Sequence, residues 1–256
     1  MIVKRFFRSN FPIPKLTELA HVLAIQPHAD DLDIALGATI AKLISSGVKV
    51  TILTVTDDIG KGATLPNSEC SIRRKEQEMS AEVLGVEELI WLGYPDAGYW
   101  SEEDLRRDLM KVMNTVEPDM ILYPDPTLTY EVHPDHLKTG RAAGAASILF
   151  HFFKNDSEIA RTPDSKEYEN KPELFVGMYY TDKPNFFSSC KRFREKKYRA
   201  IRQHSSQFDE KGFKSLKLYD TFHNRYMGLF HGLTYVEGIK ILPKTMLHCI
   251  PEAREY

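Results

Sequence analysis

Cysteine is scarce in this chain: three residues in 256, Cys70, Cys190 and Cys249, with no Cys-x-x-Cys spacing. A scattered, odd-numbered set argues against a disulfide framework and fits a reduced, cytoplasmic setting. Long apolar runs are missing too. None reaches the ~18 residues of a membrane span, so no membrane partner is expected. The opening MIVKRFFRSNFPIPKL is basic and aromatic but lacks the core and cleavage site of a signal peptide. It reads as a surface arm or an oligomer contact. Nor is there an excess of one charge. Lysine plus arginine number 34 against 36 aspartate plus glutamate, a formal net charge of −2, which argues against a bulk nucleic-acid binder. The basic run Lys191 to Lys197 (KRFREKK) reads as a solvated helix face. Repeats and low-complexity segments are absent, and GKG at Gly60 to Gly62 lacks P-loop spacing and reads as a flexible loop.

What is present is alternation. HVLAIQ (His21 to Gln26) has the apolarity of a strand, and IALGATIAKLISSG that follows has helical spacing ending at Gly47. VKVTILTVT (Val48 to Thr56) reads as a buried parallel strand. Ser68 to Leu84 reads as a charged helix, ELIWLG as a third strand, and SEED from Ser101 opens a helix with a capping box. DMILYP (Asp119 to Pro124) is the fourth strand, and Pro134 to Phe150 a long small-residue helix. Strands alternating with helices predict a parallel sheet covered on both faces. The expected fold class is α/β, a Rossmann-like three-layer αβα sandwich with a mainly parallel sheet and a C-terminal extension. One domain spans 1–256: an arm at 1–20, the parallel core at 21–150, and an extension at 151–256 that completes the site. Within the extension, KNDSEIARTPDSKEYENK reads as a polar excursion, LFVGMYYTDKP as a strand, Lys191 to His204 as helical, and YVEGIKIL with TMLHCI as terminal strands.

In such sheets ligands bind beyond the carboxyl ends of the strands, and the polar segments converge there. PHADD, with His28, Asp30 and Asp31, follows the first strand; TDDIGKG, YPDAGYW and PDPTLTYEVHPDH follow the next three. A histidine and an aspartate three apart at a helix start can share a metal, with His28 Nε2 or Nδ1 and an Asp31 oxygen ~2.0–2.2 Å from a zinc ion. Asp30, one step back, would face a metal-bound water. Taken alone, an aspartate at a helix start is as readily a cap. HPDH changes the balance. His133 and His136 lie on one turn behind Pro134, which suits the first helical position. Either could complete a His–Asp–His site with a coordination position left for water.

PHADD with its Gly-Ala helix start, RRKEQEMSAEVLG and HPDH resemble the LmbE/PIG-L family of zinc-dependent N-deacetylases. YYTDKPNFF, RAIRQHSSQF and YVEGIKILP resemble its diacetylchitobiose deacetylase branch, so the likeness runs from about His21 to Glu252. The resemblance implies one Zn2+ per subunit held by His28, Asp31 and His136, with Asp30 as general base. It implies that His133 stabilises the oxyanion and helps protonate the leaving amine. Arg73 and Asp96 fall on substrate-binding positions, and His248 on a histidine lining the site. The branch implies a homo-oligomer such as a hexamer, in which His248 could serve a neighbour's site. Three departures stand out: Ala29 replaces the motif's proline and removes a restraint on its turn, Ala38 replaces a glycine, and Leu32 replaces an acidic residue.

The implied activity is hydrolysis of the N-acetyl group of N-acetylglucosamine-type substrates, such as diacetylchitobiose or GlcNAc, with release of acetate. An alternative keeps the chemistry but acts on a GlcNAc-malate-type thiol-precursor conjugate. A non-catalytic sugar- or nucleotide-binding protein is a third reading, disfavoured because a pure binder has no need of strand ends loaded with histidine and aspartate. Thr56 to Asp58 (TDD) reads as a turn or cap rather than a second contact. Tyr94, Tyr99, Trp100 and Tyr130 suit sugar stacking or packing equally. His21, His151, His204, His223 and His231 have no partner pattern and read as structural or exposed.

Overall fold

A computed structural model of the chain describes residues 6, 9–57, 68–97, 99–152, 173–254 and 256. The alternation in the first half folds as β1 (His21–Gln26), α1 (Asp31–Ser45), β2 (Lys49–Thr56), α2 (Ser68–Leu84), β3 (Glu88–Tyr94), α3 (Glu102–Val116), β4 (Met120–Pro124) and α4 (Pro134–Leu149). The second half adds β5 (Phe175–Tyr179), β6 (Phe186–Ser189), α5 (Arg194–Ile201), α6 (Glu210–Leu229) and β7 (Val236–Pro243). All seven strands join one sheet in the order β3-β2-β1-β4-β5-β7-β6. The first five run parallel. β7 pairs antiparallel to both β5 and β6.

β1, β2 and β4 are buried along nearly their whole length because both faces are covered. Val22, Ala24, Ile52 and Leu122 pack with Leu36, Ile40 and Leu84 of α1 and α2. Leu23, Ile25, Leu53 and Ile121 face Leu109, Met113, Ala142 and Ala146 of α3 and α4 on the other side. The Ser101 capping reading holds, since its hydroxyl accepts from the Asp104 amide at 3.3 Å. The small residues of α4 let it lie close to β4. A Cβ on Gly140 would collide with the Pro124 carbonyl, so this helix needs glycine to sit against the strand's end.

The extension departs from its sequence reading in several places. TMLHCI does not form a strand; Lys244–Leu247 is a 3-10 turn, and Met246 packs under the α3–α4 face. α6 and β6 were not marked by any pattern. KRFREKK is not a wholly solvated face, because Lys197 is completely buried. A Cβ on Gly37 would stand 3.0 Å from Lys197 Cγ, so α1 and α5 approach closely and enclose the lysine. The polar segment 154–172 and GKG lie outside the described residues.

Candidate metal centre

β1 and β4 are neighbours, and their crossovers leave toward opposite ends of the sheet order. That divergence opens a crevice at their carboxyl ends, where α/β sheets place ligands. PHADD enters from β1 and HPDH from β4.

The first motif is a strained turn. Asp30 has φ 123° and ψ −27° and makes no side-chain capping bond. Such a backbone costs ~1–3 kcal/mol at a non-glycine residue and persists only when surroundings enforce it. They do. Arg73 Nη2 donates to the Ala29 carbonyl at 2.7 Å, and Leu32 N donates to Gln26 Oε1 at 3.0 Å. Asp31 Oδ2 accepts from the His28 amide at 3.0 Å, and Tyr180 OH donates to the Asp31 carbonyl at 3.1 Å. The plain-cap reading of Asp30 therefore fails. Its Oδ2 instead lies 3.6 Å from Arg73 Nη2.

The second motif starts α4. His133 is its N-cap, and His133 Nδ1 accepts from the Asp135 amide at 3.3 Å, with Pro134 at the helix start. This bond leaves the ring's remaining proton on Nε2. His133 sits below the ordinary histidine range, because burial and the neighbouring His28 and His136 disfavour its charge. It is a neutral donor near neutral pH.

The two motifs meet at Asp31. Its Oδ2 lies 3.4 Å from His28 Nδ1 and its Oδ1 lies 3.4 Å from His136 Nε2. One ligand atom from each of the three lies within 4.8 Å of the others. Two imidazoles and a carboxylate are a donor set that zinc accepts with a position open. Asp30 is outside this group. A second grouping of His28, Asp96, His133 and Asp135 uses the other side of His28. There His28 Nε2 lies 3.0 Å from Asp135 Oδ2 and 3.2 Å from Asp96 Oδ1. Both carboxylates also accept the Ala97 amide, at 2.9 Å and 2.6 Å. Carboxylates fixed to backbone in this way orient a metal-binding imidazole and set its tautomer.

Electrostatics agree with a cation site. Burial disfavours a charged His28, but its bonds to Asp135, Asp31 and Asp96 outweigh that and hold it well above the usual range. Burial likewise raises Asp31, and His28 and His136 more than reverse the effect. The His28 bond holds Asp96 far below the carboxylate range. A proton answers this crowd of carboxylates, and a divalent metal does so with the imidazoles neutral.

The PIG-L family model, described as GlcNAc-PI de-N-acetylase, matches residues 23–147, a span that contains both motifs. A diacetylchitobiose deacetylase of Thermococcus kodakarensis is 35% identical over 261 residues, covering 99% of this chain and 93% of that protein. The chain belongs to the PIG-L family. The solved N,N'-diacetylchitobiose deacetylase of Pyrococcus horikoshii superposes with a TM-score of 0.81 at 32% identity, covering 98% of this chain and 95% of that one. A probable N-acetyl-alpha-D-glucosaminyl L-malate deacetylase 2 of Bacillus anthracis is 28% identical over 208 residues, covering 75% of this chain and 83% of that protein. As a PIG-L family deacetylase, the chain is a metal-dependent amide hydrolase with a His/Asp/His cluster able to hold its metal.

Seven of the eight sequence-marked residues of this family member converge on one crevice. His248 does not. It is exposed beyond the turn that follows β7, at the end of the sheet where Pro243 pairs with Phe175 at the start of β5. The site lies past the opposite end of β5's neighbour, so His248 cannot line it within one chain. Three contributors escaped the sequence reading. Asp135 is fully buried, and its small signal is an acid inside HPDH. Glu131 Oε2 is 3.4 Å from His136 Nδ1. Tyr180, after β5, stacks parallel on His136 at 6.0 Å. Of the aromatic candidates, Tyr94 and Trp100 pack against each other, whereas Tyr99 and Tyr130 are exposed. Thr56 and Asp57 are structural: Thr56 Oγ1 donates to the Pro27 carbonyl at 2.9 Å, and Arg74 donates to Asp57.

Proposed function

We propose that this PIG-L family enzyme is a zinc-dependent N-deacetylase of N-acetylglucosamine-type sugars such as diacetylchitobiose or GlcNAc. The observation that carries it is the convergence of His28 Nδ1, an Asp31 oxygen and His136 Nε2, with Asp30 excluded from the donor set. His28, Asp31 and His136 would hold the ion. What zinc supplies when bound is a water acidified toward a pKa of ~7 and a polarised acetyl carbonyl.

Asp30 takes a proton from water, a role that requires its carboxylate to stay off the metal. The strained turn and Arg73 hold that carboxylate in place. His133, with its proton on Nε2, donates a hydrogen bond to the oxyanion that develops on the acetyl oxygen, and as the C–N bond breaks the proton that Asp30 removed from water passes to the departing amine. Arg73 and Asp96, both at the crevice, suit the hydroxyls of a sugar, and acetate and a free amino sugar leave. Two of the relatives named above, those of Thermococcus kodakarensis and Pyrococcus horikoshii, are diacetylchitobiose deacetylases, which supports this substrate class. The Bacillus relative's name supports a GlcNAc-malate conjugate as the second reading.

A cytoplasmic location fits the scattered cysteines, and among the described residues no helix is long and apolar enough to cross a membrane. A homo-oligomer would be the one way to bring His248 to a site, namely a neighbour's. The test is acetate release by metal-replete enzyme from GlcNAc, diacetylchitobiose and GlcNAc-malate. Fastest turnover of the first two is expected; preference for the malate conjugate moves the enzyme to the second reading. A purified protein that binds no zinc and releases no acetate from any of the three overturns the proposal.

A further inference from the structure

A cavity of about 300 Å³ lies beside the metal centre, between α1, α6 and the loop that follows β5. Pockets for small molecules begin at about this size. α6 lines it with Leu216, Asn224 and Met227, while Leu218, Phe222 and Tyr226 on the outer face of that helix are exposed. Three segments tie the cavity to the site. Ile34 and Ala35 line it from α1, three and four positions after Asp31 and therefore on the same helix face. Leu128 lines it from the loop whose Glu131 faces His136 and which ends at His133. Tyr180 belongs to both places. Its ring stacks on His136 at 6.0 Å, its hydroxyl donates to the Asp31 carbonyl at 3.1 Å, and it forms part of the cavity wall. A group held at the metal therefore has this space one side chain away.

The lining selects the chemistry that fits. Tyr180 and the more exposed Tyr219 offer aromatic surface for the C–H face of a sugar ring. Asn224 is only 4% exposed and donates its Nδ2 to Asp220 at 2.8 Å. An ionised carboxylate only accepts, so this bond fixes the amide's orientation. Its Oδ1 has no hydrogen-bond partner among the described residues and is left to accept from a hydroxyl. Charge discriminates further. Among the described residues that line the cavity, none is lysine or arginine. Burial lowers His223 below the ordinary histidine range, so it is neutral near neutral pH. Asp220 is answered by Lys197, and the exposed Asp182 accepts from the neutral Thr129 hydroxyl at 3.2 Å. A carboxylate-bearing group such as malate would enter beside Asp182 with no cation to offset its desolvation. A neutral ring carrying hydroxyls carries no such cost.

We propose that this cavity is the subsite for a second, uncharged sugar ring, the one beyond the residue being deacetylated, and that it selects neutral disaccharides over anionic conjugates. The role of that ring rests on the deacetylase reading. Acetate release from GlcNAc, diacetylchitobiose and GlcNAc-malate tests the proposal, with variants judged by ratios of kcat/KM, which a partly folded sample leaves unchanged. Wild type is expected to favour diacetylchitobiose over GlcNAc by at least about tenfold, and Leu216→Trp, which fills the cavity, to erase that preference. Asp182→Lys turns an exposed repulsion into an attraction and should shift the balance toward GlcNAc-malate by about tenfold. A wild type indifferent to the second sugar, or a preference that Leu216→Trp leaves intact, overturns the subsite while the deacetylase reading stands. A shift with Leu216→Trp but none with Asp182→Lys overturns the charge selection alone. Calorimetry on metal-loaded Asp30→Asn protein reads binding of the same three compounds without turnover. Tighter binding of diacetylchitobiose than of GlcNAc, abolished by adding Leu216→Trp, supports the subsite even if wild type releases no acetate, a result that overturns only the deacetylase reading. Equal binding of the three overturns the subsite.

Discussion

Two ionic clusters touch the same helix, α1, and differ in how they are completed. Midway along α1, Glu237 accepts the amides of Ala38 and Thr39 at 3.2 Å and 2.7 Å. Lys197 Nζ donates to Glu237 at 2.8 Å and to Asp220 at 2.6 Å. Asp220 also accepts from Tyr198, Tyr235 and Asn224. At the amino end of α1, Asp31, Asp96 and Asp135 crowd His28, and Asp135 Oδ1 is buried without a hydrogen-bond partner. The first cluster has its cation built into the chain and every carboxylate answered. The second has carboxylates answered mainly by imidazoles, which are charged or neutral as a bound cation dictates. Closure makes the first a structural joint, and incompleteness makes the second a site.

Each cluster can be disrupted by removing one of its charges. Removing the lysine should do most damage. Lys197→Met leaves two buried carboxylates without their cation and should cost about 3–5 kcal/mol, read as a lower urea midpoint at unchanged slope. An unchanged midpoint would mean that the joint is not needed for folding. At the open cluster, Asp30→Asn should lower kcat for acetate release by ~10²–10⁴ while zinc content and melting temperature hold. Loss of bound zinc in this variant would instead make Asp30 a ligand.

Asp135→Asn probes the orienting bond to His28. Metal affinity should fall by about 10–100-fold, measured by competition with a chelator; equal affinity would show that His28 is fixed by other means. The smallest effect concerns His204, whose Nε2 lies 2.6 Å from Asp33 Oδ2 in a buried pair. Burial disfavours its charge, but Asp33 more than compensates and raises it above the ordinary value. A raised folded-state pKa means its contribution to stability is full below the unfolded pKa of about 6.5 and lost as pH rises through the folded value. The melting-temperature gap between wild type and His204→Gln should therefore narrow from pH 6 to pH 9. A gap independent of pH would show that the pair is uncharged throughout.

The core strands, their helices and the two metal motifs were legible because each depends on local pattern: apolar runs, a capping serine, a proline at the first turn of α4. β6 and α6 were not. β6 gains its stability from pairing with β7, a contact remote in sequence. α6 mixes an inward polar Asp220 and Asn224 with an outward apolar stripe, inverting the pattern that reveals an amphipathic helix. Lys197 looked like a solvated charge because nothing in KRFREKK announces Asp220 and Glu237. Tyr180 and Glu131 are ordinary residues until β5 and the loop before α4 bring them to His136.

By itself the sequence determined the chemistry on offer: a parallel α/β core, His28, Asp30 and Asp31 at one strand end, His133 and His136 at another. Tertiary structure decided how that chemistry is divided. It turned His28 Nδ1 toward Asp31 and Nε2 toward Asp135, held Asp30 off the donor set in a strained turn, and carried His248 to the far end of the sheet. Ring direction, backbone strain and distance across a sheet depend on contacts between residues a hundred positions apart, and no local spacing encodes them.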